Sequence, residues 1–435
     1  MGMGFSMRFS VKRIGRTKKE YYERIFQNLP SPVPNWNPVY LSDQTGFSVK
    51  LAPFESPIFG MWKDNELHVY ARTVSAGPGY HAYLVELIDS LNLEPSFVED
   101  ETWYHQTRDF AVLQSKMCDW LQKTSETLLS VWNKKGATNL AVSFAADWTP
   151  ETSGAYACCP LGTFKKSFFE SVKNGNEDVS EFFVWWNKDM DAVFYRNMAL
   201  YMIHCEANWL IPETALEKRM LESTLECFER AYAMDTGLDY PAAEWLELAE
   251  LSALAGLKAG ADVGADLNEA VANSALVKQV KSRFSNIGKA VLGFKRGIIR
   301  RSFNGWEFLH SGKMHFDIED NANPIFWHGE RVIRINTVSF KVKGGPFQKS
   351  QPKKSEPSND FLSKTLEGLR PFKLRNKKIS AKITHIETEE NGQPVFETLL
   401  AAAVEGEMFV ISVVYRNKED RKWALEVCES VTRSD

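Results

Sequence analysis

Residues 378–416 read KISAKITHIETEENGQPVFETLLAAAVEGEMFVISVVYR, three strand-length runs broken by Asn391-Gly392 and by Glu405-Gly406-Glu407. A two-residue Asn-Gly loop needs positive φ at both positions, and its twist suits the reversal of one antiparallel strand into the next. Few other features bind a chain so tightly to one local arrangement. Three consecutive antiparallel strands are therefore expected here, and the runs GWEFLHSG, KMHFDIED, PIFWHG and ERVIRINTVSFKV upstream extend the series. Between them lies GGPFQKSQPKKSEPSND, residues 344–360, whose prolines, serines and lysines predict a mobile insert. The series ends in KEDRKWALEVCESV, with Trp423, Leu425 and Val427 on an amphipathic helix.

This order, antiparallel strands and then EMFVISVVYRNKEDRKWALEVCESV as strand, charged turn and closing helix, resembles the PsbP-like α/β/α sandwich over about the last 130 residues. The resemblance implies a binding or assembly module and transfers no functional residue.

At 435 residues the chain is too long for one core to be the default. The N-terminal part mixes strand-like runs (GFSVKLAP, PIFGMW, ELHVYARTVS) with helical ones, among them HAYLVELIDSL and FAVLQSKMCDWLQKTSETLLSVWNK. The middle is helical: SEFFVWWNKDMDAVFYRNMALYMIHCEANWL, then a helix running toward Gly237, then one opened by Pro241 and closed by Gly256. These last two make a single αα-hairpin without the copies a solenoid requires. The expected class is α+β, divided into an α/β region (1–165), a helical region (166–280), a basic connector (281–303) and a sheet-rich sandwich (304–435).

Charge is distributed unevenly. Residues 281–435 hold 27 Lys+Arg against 19 Asp+Glu, and residues 1–280 hold 25 against 37. Lys281, Arg283, Lys289, Lys295, Arg296, Arg300 and Arg301 occur in 23 residues with no acid among them. Such a stretch suits anionic lipid or nucleic acid, or else the acidic part of the same chain. Gly288, Gly293 and Gly297 interrupt any continuous amphipathic helix and favour the intramolecular reading. The N-terminus lacks an apolar signal core, no apolar run reaches spanning length, and the six cysteines show no CxxC pair. A cytoplasmic, reducing location is expected.

Chemistry is sparsely signalled. AGPGYH, residues 76–81, follows a strand and opens a helix, yet it lacks both GxGxxG and GxxxxGK[ST]. Gly77-Pro78-Gly79 reads as a tight turn, with proline fixing φ and a glycine taking positive φ. Tyr80 and His81 would sit at the helix N-terminal turn, where free N–H groups favour an anion, with Arg72 upstream on the strand. They are the candidate small site. His204, Cys205 and Glu206 point about 100° apart on a helix and do not converge, Asp189 and Asp191 read as a helix entry, and His310 and His315 lack metal-ligand spacing. Trp327-His328, before a glycine, is a candidate recognition tip. No cofactor and no metal is expected.

The function expected is that of a non-catalytic bacterial interaction protein, in an immunity, assembly or adaptor role within a conflict or secretion system. The partner would be another protein. The alternatives are a hydrolase or transferase using Tyr80 and His81, and a lipid- or nucleic-acid-binding protein using 281–303.

Overall fold

In a computed structural model the described residues are 3–10, 16–135, 140–142, 147–151, 156–257, 292–319, 323–339, 370–372, 374, 379–404 and 407–433. The class is α+β, with two compact units: residues 1–146 with 151–295, and 147–150 with 296–435. Residues 166–257 thus join the N-terminal region, and the basic stretch divides between Lys295 and Arg296. Lys281, Arg283, Lys289 and the insert 344–360 lie outside the described residues.

The first unit begins with β1 (Gly4–Ser10), α1 (Arg16–Gln27), β2 (Val39–Ser42), β3 (Gly46–Lys50), β4 (Ile58–Lys63), β5 (Glu66–Arg72), α2 (Pro78–Ser90) and β6 (Phe97–Asp100). The six strands form one antiparallel sheet in the order β2-β3-β4-β5-β1-β6. Side chains alternate along each strand, so Phe5, Met7 and Phe9 enter the core with Leu67, Val69 and Ala71 while their neighbours face outward. The inner face is covered by helix: Phe26 of α1 lies against Phe47, and α2 buries Leu84, Val85 and Ile88. After the one-turn α3 (Tyr104–Thr107), α4 (Phe110–Lys135) adds Leu113, Met117 and Leu121 to the same core.

The chain continues through β7 (Leu140–Ala141), β8 (Trp148–Pro150, part of the second unit), β9 (Tyr156–Cys159), β10 (Gly162–Lys165) and α5 (Lys166–Lys173). It then enters α6 (Ala192–Cys205), α7 (Ala215–Met234) and α8 (Ala242–Leu254). The helix expected from residue 180 starts only at Ala192, where the Asp191 side chain accepts the Phe194 N–H as N-cap. Upstream, the Trp185 backbone is spent on tertiary bonds: its N–H donates to Ala76 O (2.9 Å), and its carbonyl accepts from Gly79 N–H (3.0 Å). Helix α7 opens on a capping box between Thr214 and Glu217, and α8 meets it through Phe228 stacked on Trp245.

The second unit holds β11 (Ile298–Phe303), β12 (Trp306–Ser311), β13 (His315–Ile318), β14 (Pro324–His328), β15 (Arg331–Ser339), β16 (Arg370–Phe372), β17 (Ser380–Glu390), β18 (Gln393–Val404), β19 (Glu407–Tyr415), α9 (Arg421–Glu429) and β20 (Thr432–Arg433). Two antiparallel sheets result, β20-β12-β11-β8 and β13-β14-β15-β19-β18-β17-β16. Asn391 (φ 53°) and Gly392 (φ 76°) close β17 onto β18 as the Asn-Gly signal requires. Trp306 stacks on Phe409 at 5.4 Å, joining the two sheets in one core, and α9 closes it with Ala424, Val427 and Cys428.

The basic stretch ends in a strand. Lys295 reaches Glu206 (3.0 Å to its carbonyl, 3.8 Å to its carboxylate), and Arg300 lies 3.5 Å from Glu307. Arg301 is buried, donates to Asp147 Oδ1 at 2.6 Å and lies over the rings of Phe316 and Phe326. Arg301→Gln should therefore destabilise the second unit by about 1–3 kcal/mol, through lost ring packing and a lost charge-assisted bond. Arg300→Gln, whose ion pair is half exposed, should cost under about 1 kcal/mol and less as salt rises. Urea unfolding at two salt concentrations separates them: equal costs, or a cost at Arg301 that salt abolishes, would contradict this account.

Candidate interaction face

The structure separates the residues proposed for one small site. Gly77 carries the positive φ (112°) and Pro78 is the first helical residue, so the turn forms as its composition demands. The first turn of α2 is not an open anion site, however: Gly79 N–H goes to Trp185 O and His81 N–H to Gly77 O. Tyr80 is buried among Phe54, Tyr83 and Trp185, and burial drives its hydroxyl pKa well up.

His81 is wholly buried in a closed network. Its Nδ1 is 2.7 Å from Thr73 Oγ1, and its Nε2 is 3.0 Å from Thr102 Oγ1 and 3.2 Å from Asp100 Oδ1. Thr102 spends its one hydroxyl proton on Asp100 Oδ1 (2.7 Å), so His81 Nε2 must carry a proton and donate toward that oxygen pair. Burial pushes the Asp100 carboxyl up, but the hydrogen bond and charge of His81 and the His105 N–H outweigh it and hold the group well below the usual range. Every polar contact of this histidine is thus made inside the core, with Thr73, Thr102 and Asp100.

Other candidates also have structural places. His315 is buried and stacks on Trp327 at 5.3 Å, while His328 is exposed at the β14–β15 turn. His204 is buried beside Phe294, and burial lowers its pKa to about 4. Desolvation raises the pKa of Cys159, Cys205 and Cys227, the reverse of what a reactive thiol needs. No group of His, Cys, Asp and Glu able to hold a metal occurs among the described residues.

Arg72 points the other way, onto the outer face of the six-stranded sheet. Strand register aligns Leu41, Ser48, Phe59, Tyr70, Ser6 and Glu99 in one row across β2 to β6. The adjacent row places Met61, His68, Arg8 and Phe97 side by side. Leu41 is 65% exposed, Met61 60%, Phe59 and Tyr70 44% each, Val39 40% and Phe97 39%. Six large apolar side chains on one flat face exceed the scattered exposure normal for a protein surface. Arg8 lies 4.0 Å over the Phe97 ring; Lys50 and Arg72 stand beyond one end of these rows and Lys63 beyond the other, cations that Glu66 and Glu99 only partly balance. The face spans five inter-strand spacings of about 4.8 Å, roughly 24 Å.

The sequence signal for it was present but weak. Alternation in IFGMWK and ELHVYAR puts Phe59, Met61 and Tyr70 on one side, but only the pairing shows that the opposite side of the sheet is the one carrying the helices.

No protein-family model and no curated protein matches the chain. Among solved structures, one from Bacteroides thetaiotaomicron aligns with 30% of this chain at 10% identity and a TM-score of 0.24; the chain spans 46% of its length. Cyanobacterial PsbP from Synechocystis sp. PCC 6803 aligns with 32% of this chain and 92% of its own, at 10% identity and a TM-score of 0.17. Likenesses this weak decide nothing about the fold. No described helix is long and apolar enough to cross a membrane.

Proposed function

We propose that the first unit is a protein-binding module whose outer sheet face docks on an apolar protein surface edged by carboxylates, a non-catalytic interaction role of the immunity, assembly or adaptor kind. The observation that carries it is the exposed set Leu41, Phe59, Tyr70, Met61 and Phe97 on two neighbouring rows of a sheet face that no described helix covers. An interface centred on aromatic and Met side chains with charge at its rim is the usual anatomy of protein recognition. Glu66 and Glu99 within the face count against an anionic bilayer or a nucleic acid, both of which would repel them. The burial of Tyr80 and His81 removes the support for an enzyme at that corner. PsbP-like membership of the second unit rests on strand order and closing helix alone and adds nothing to this assignment.

A photo-crosslinking amino acid at Tyr70 tests it in a lysate of the native host. One polypeptide should be captured in stoichiometric yield, and Met61→Asp should suppress capture at least tenfold while leaving Tm within about 2 °C, because Met61 is exposed. Absence of a polypeptide adduct, capture indifferent to Met61→Asp, or saturable binding of the purified chain to phosphatidylserine vesicles through this face would each overturn the proposal.

A further inference from the structure

The exposed apolar residues of the outer sheet face are not spread evenly. Strand β3, second from the sheet edge, turns only Gly46 and Ser48 outward before Lys50, because its alternate residues Phe47 and Val49 are buried on the inner side. The strands beside it carry large exposed side chains outward, Val39 and Leu41 on β2 and Phe59 and Met61 on β4. Register aligns these walls with the floor: Leu41 and Phe59 stand opposite Ser48, Met61 opposite Gly46 and Val39 opposite Lys50. A trough therefore runs along β3 between apolar walls two strand spacings, or about 9.6 Å, apart. The sheet itself keeps the Gly46 end low, since a Cβ there would lie 2.0 Å from the Gly60 carbonyl oxygen.

The two ends of the trough differ in charge. Lys50 closes one end, and Arg72 stands two strands away in the same row. Burial raises the Glu55 pKa, opposed by backbone bonds and by the charges of Arg72 and Lys50, so both cations lie around the start of β4. At the other end Lys63 faces Glu66 across the strands, and Asp43 beside Gly46 accepts the Thr45 N–H at 2.6 Å and the Gly46 N–H at 3.0 Å. One end is thus cationic, and at the other the single cation is matched by acids.

We propose that the partner of this face presents an amphipathic helix lying along β3, its apolar ridge seated between Leu41 and the pair Phe59 and Met61 and its acidic end over Lys50 and Arg72. The inference rests on the reading of this face as a protein-binding surface and names the element that fits it. A helix with its side chains is about 10–12 Å across, close to the wall spacing. An extended segment in the same trough would lay its backbone N–H and C=O groups against apolar walls without partners, whereas a helix satisfies them internally. Carboxylates at one end only set the direction of docking, because reversal would bring them beside Glu66 and Asp43.

Photo-crosslinking residues placed at position 50 and at position 63 of the full chain test it by where they land on the captured polypeptide. The two positions are three rows apart along the trough, about 20 Å. On a helix their adducts should fall about 13 residues apart, with the position-50 adduct at the more acidic end; on an extended segment they would fall about 6 apart. Ser48→Phe, which fills the trough, should suppress capture through Tyr70 at least tenfold. Ser6→Phe, in the same row but on β1 outside the trough, should change it less than twofold. Both serines are half-buried on strands, where phenylalanine is favoured, and the crosslink spacing depends on neither variant. Adducts about 6 residues apart or on a second copy of this chain, an acidic end at position 63, or equal effects of the two serine changes would overturn the helix while capture through Tyr70 persists. No polypeptide adduct at Tyr70 would overturn the binding face and the helix together.

Discussion

Alanine at position 79 is expected to unfold the first unit or to cost it more than about 3 kcal/mol, although Gly79 needs no unusual φ. A Cβ there would lie 2.0 Å from Trp185 Cδ1 and 2.2 Å from the Asn187 carbonyl oxygen. Neither neighbour can yield cheaply. The Trp185 indole is buried against Phe194 and Tyr83, and the Trp185 backbone is bonded to Ala76 and to Gly79 itself. Overpacking of this kind ordinarily costs about 1–3 kcal/mol; losing the Gly79 N–H to Trp185 O bond and displacing the ring adds to it. Gly77→Ala adds a second kind of damage, since its φ of 112° is one that L-residues rarely adopt and its Cβ would sit 2.6 Å from Trp185 O. Gly175→Ala is the matched control: it too has positive φ (70°), but nothing lies within 4 Å of its Cβ, so strain alone is measured. Urea unfolding of the three variants should rank them Gly77 and Gly79 far above Gly175, and a Gly79 variant within about 1 kcal/mol of wild type would refute the close approach.

Stability should be nearly level from pH 4.5 to 6.5 and then fall by about 2 kcal/mol toward pH 8, because two buried groups pull in opposite directions. Glu55 is fully enclosed; burial raises its pKa to about 8 from 4.5, opposed by bonds accepted from Ser56 N–H (2.8 Å) and Ala76 N–H (2.9 Å). Between 4.5 and 8 the folded chain keeps a proton the unfolded chain has lost, so this contribution falls as pH rises, by about 1.4 kcal/mol per unit. Desolvation lowers the His204 pKa to about 4 from 6.5. Between 4 and 6.5 the unfolded chain holds the extra proton, and this contribution rises with pH at the same slope. The two cancel from 4.5 to 6.5, and Glu55 acts alone above that. Glu55→Gln should abolish the alkaline fall and leave a rise from pH 4 to 6.5; His204→Leu should leave a continuous decline from pH 4.5 to 8. Unfolding free energies at half-unit intervals decide it, and a Glu55→Gln profile parallel to wild type above pH 6.5 would show that Glu55 is not the group responsible.

Local rules carried far where a residue's conformation depends on its neighbours in sequence. Asn391-Gly392 could only be a hairpin turn, Gly77-Pro78 could only be a tight reversal into a helix, and period-2 and period-3.6 patterning made the α+β class legible, because turn chemistry and side-chain periodicity act within a few residues. The same locality explains the failures. FFVWW at 182–186 has the apolar content of a helix, and only its backbone bonds to Ala76 and Gly79, about 105 residues earlier, hold it out of one. Tyr80 and His81 looked like an exposed helix entry because burial is a property of what packs on top, which here is Trp185, Phe54 and the Thr102 turn. Arg72, Phe59, Met61 and Tyr70 became a surface only when five strand pairings laid them in rows. What the sequence alone determined was which short segments form strands, turns and helices; which of their faces were covered, and so where this protein can bind anything, was decided by contacts between residues far apart in the chain.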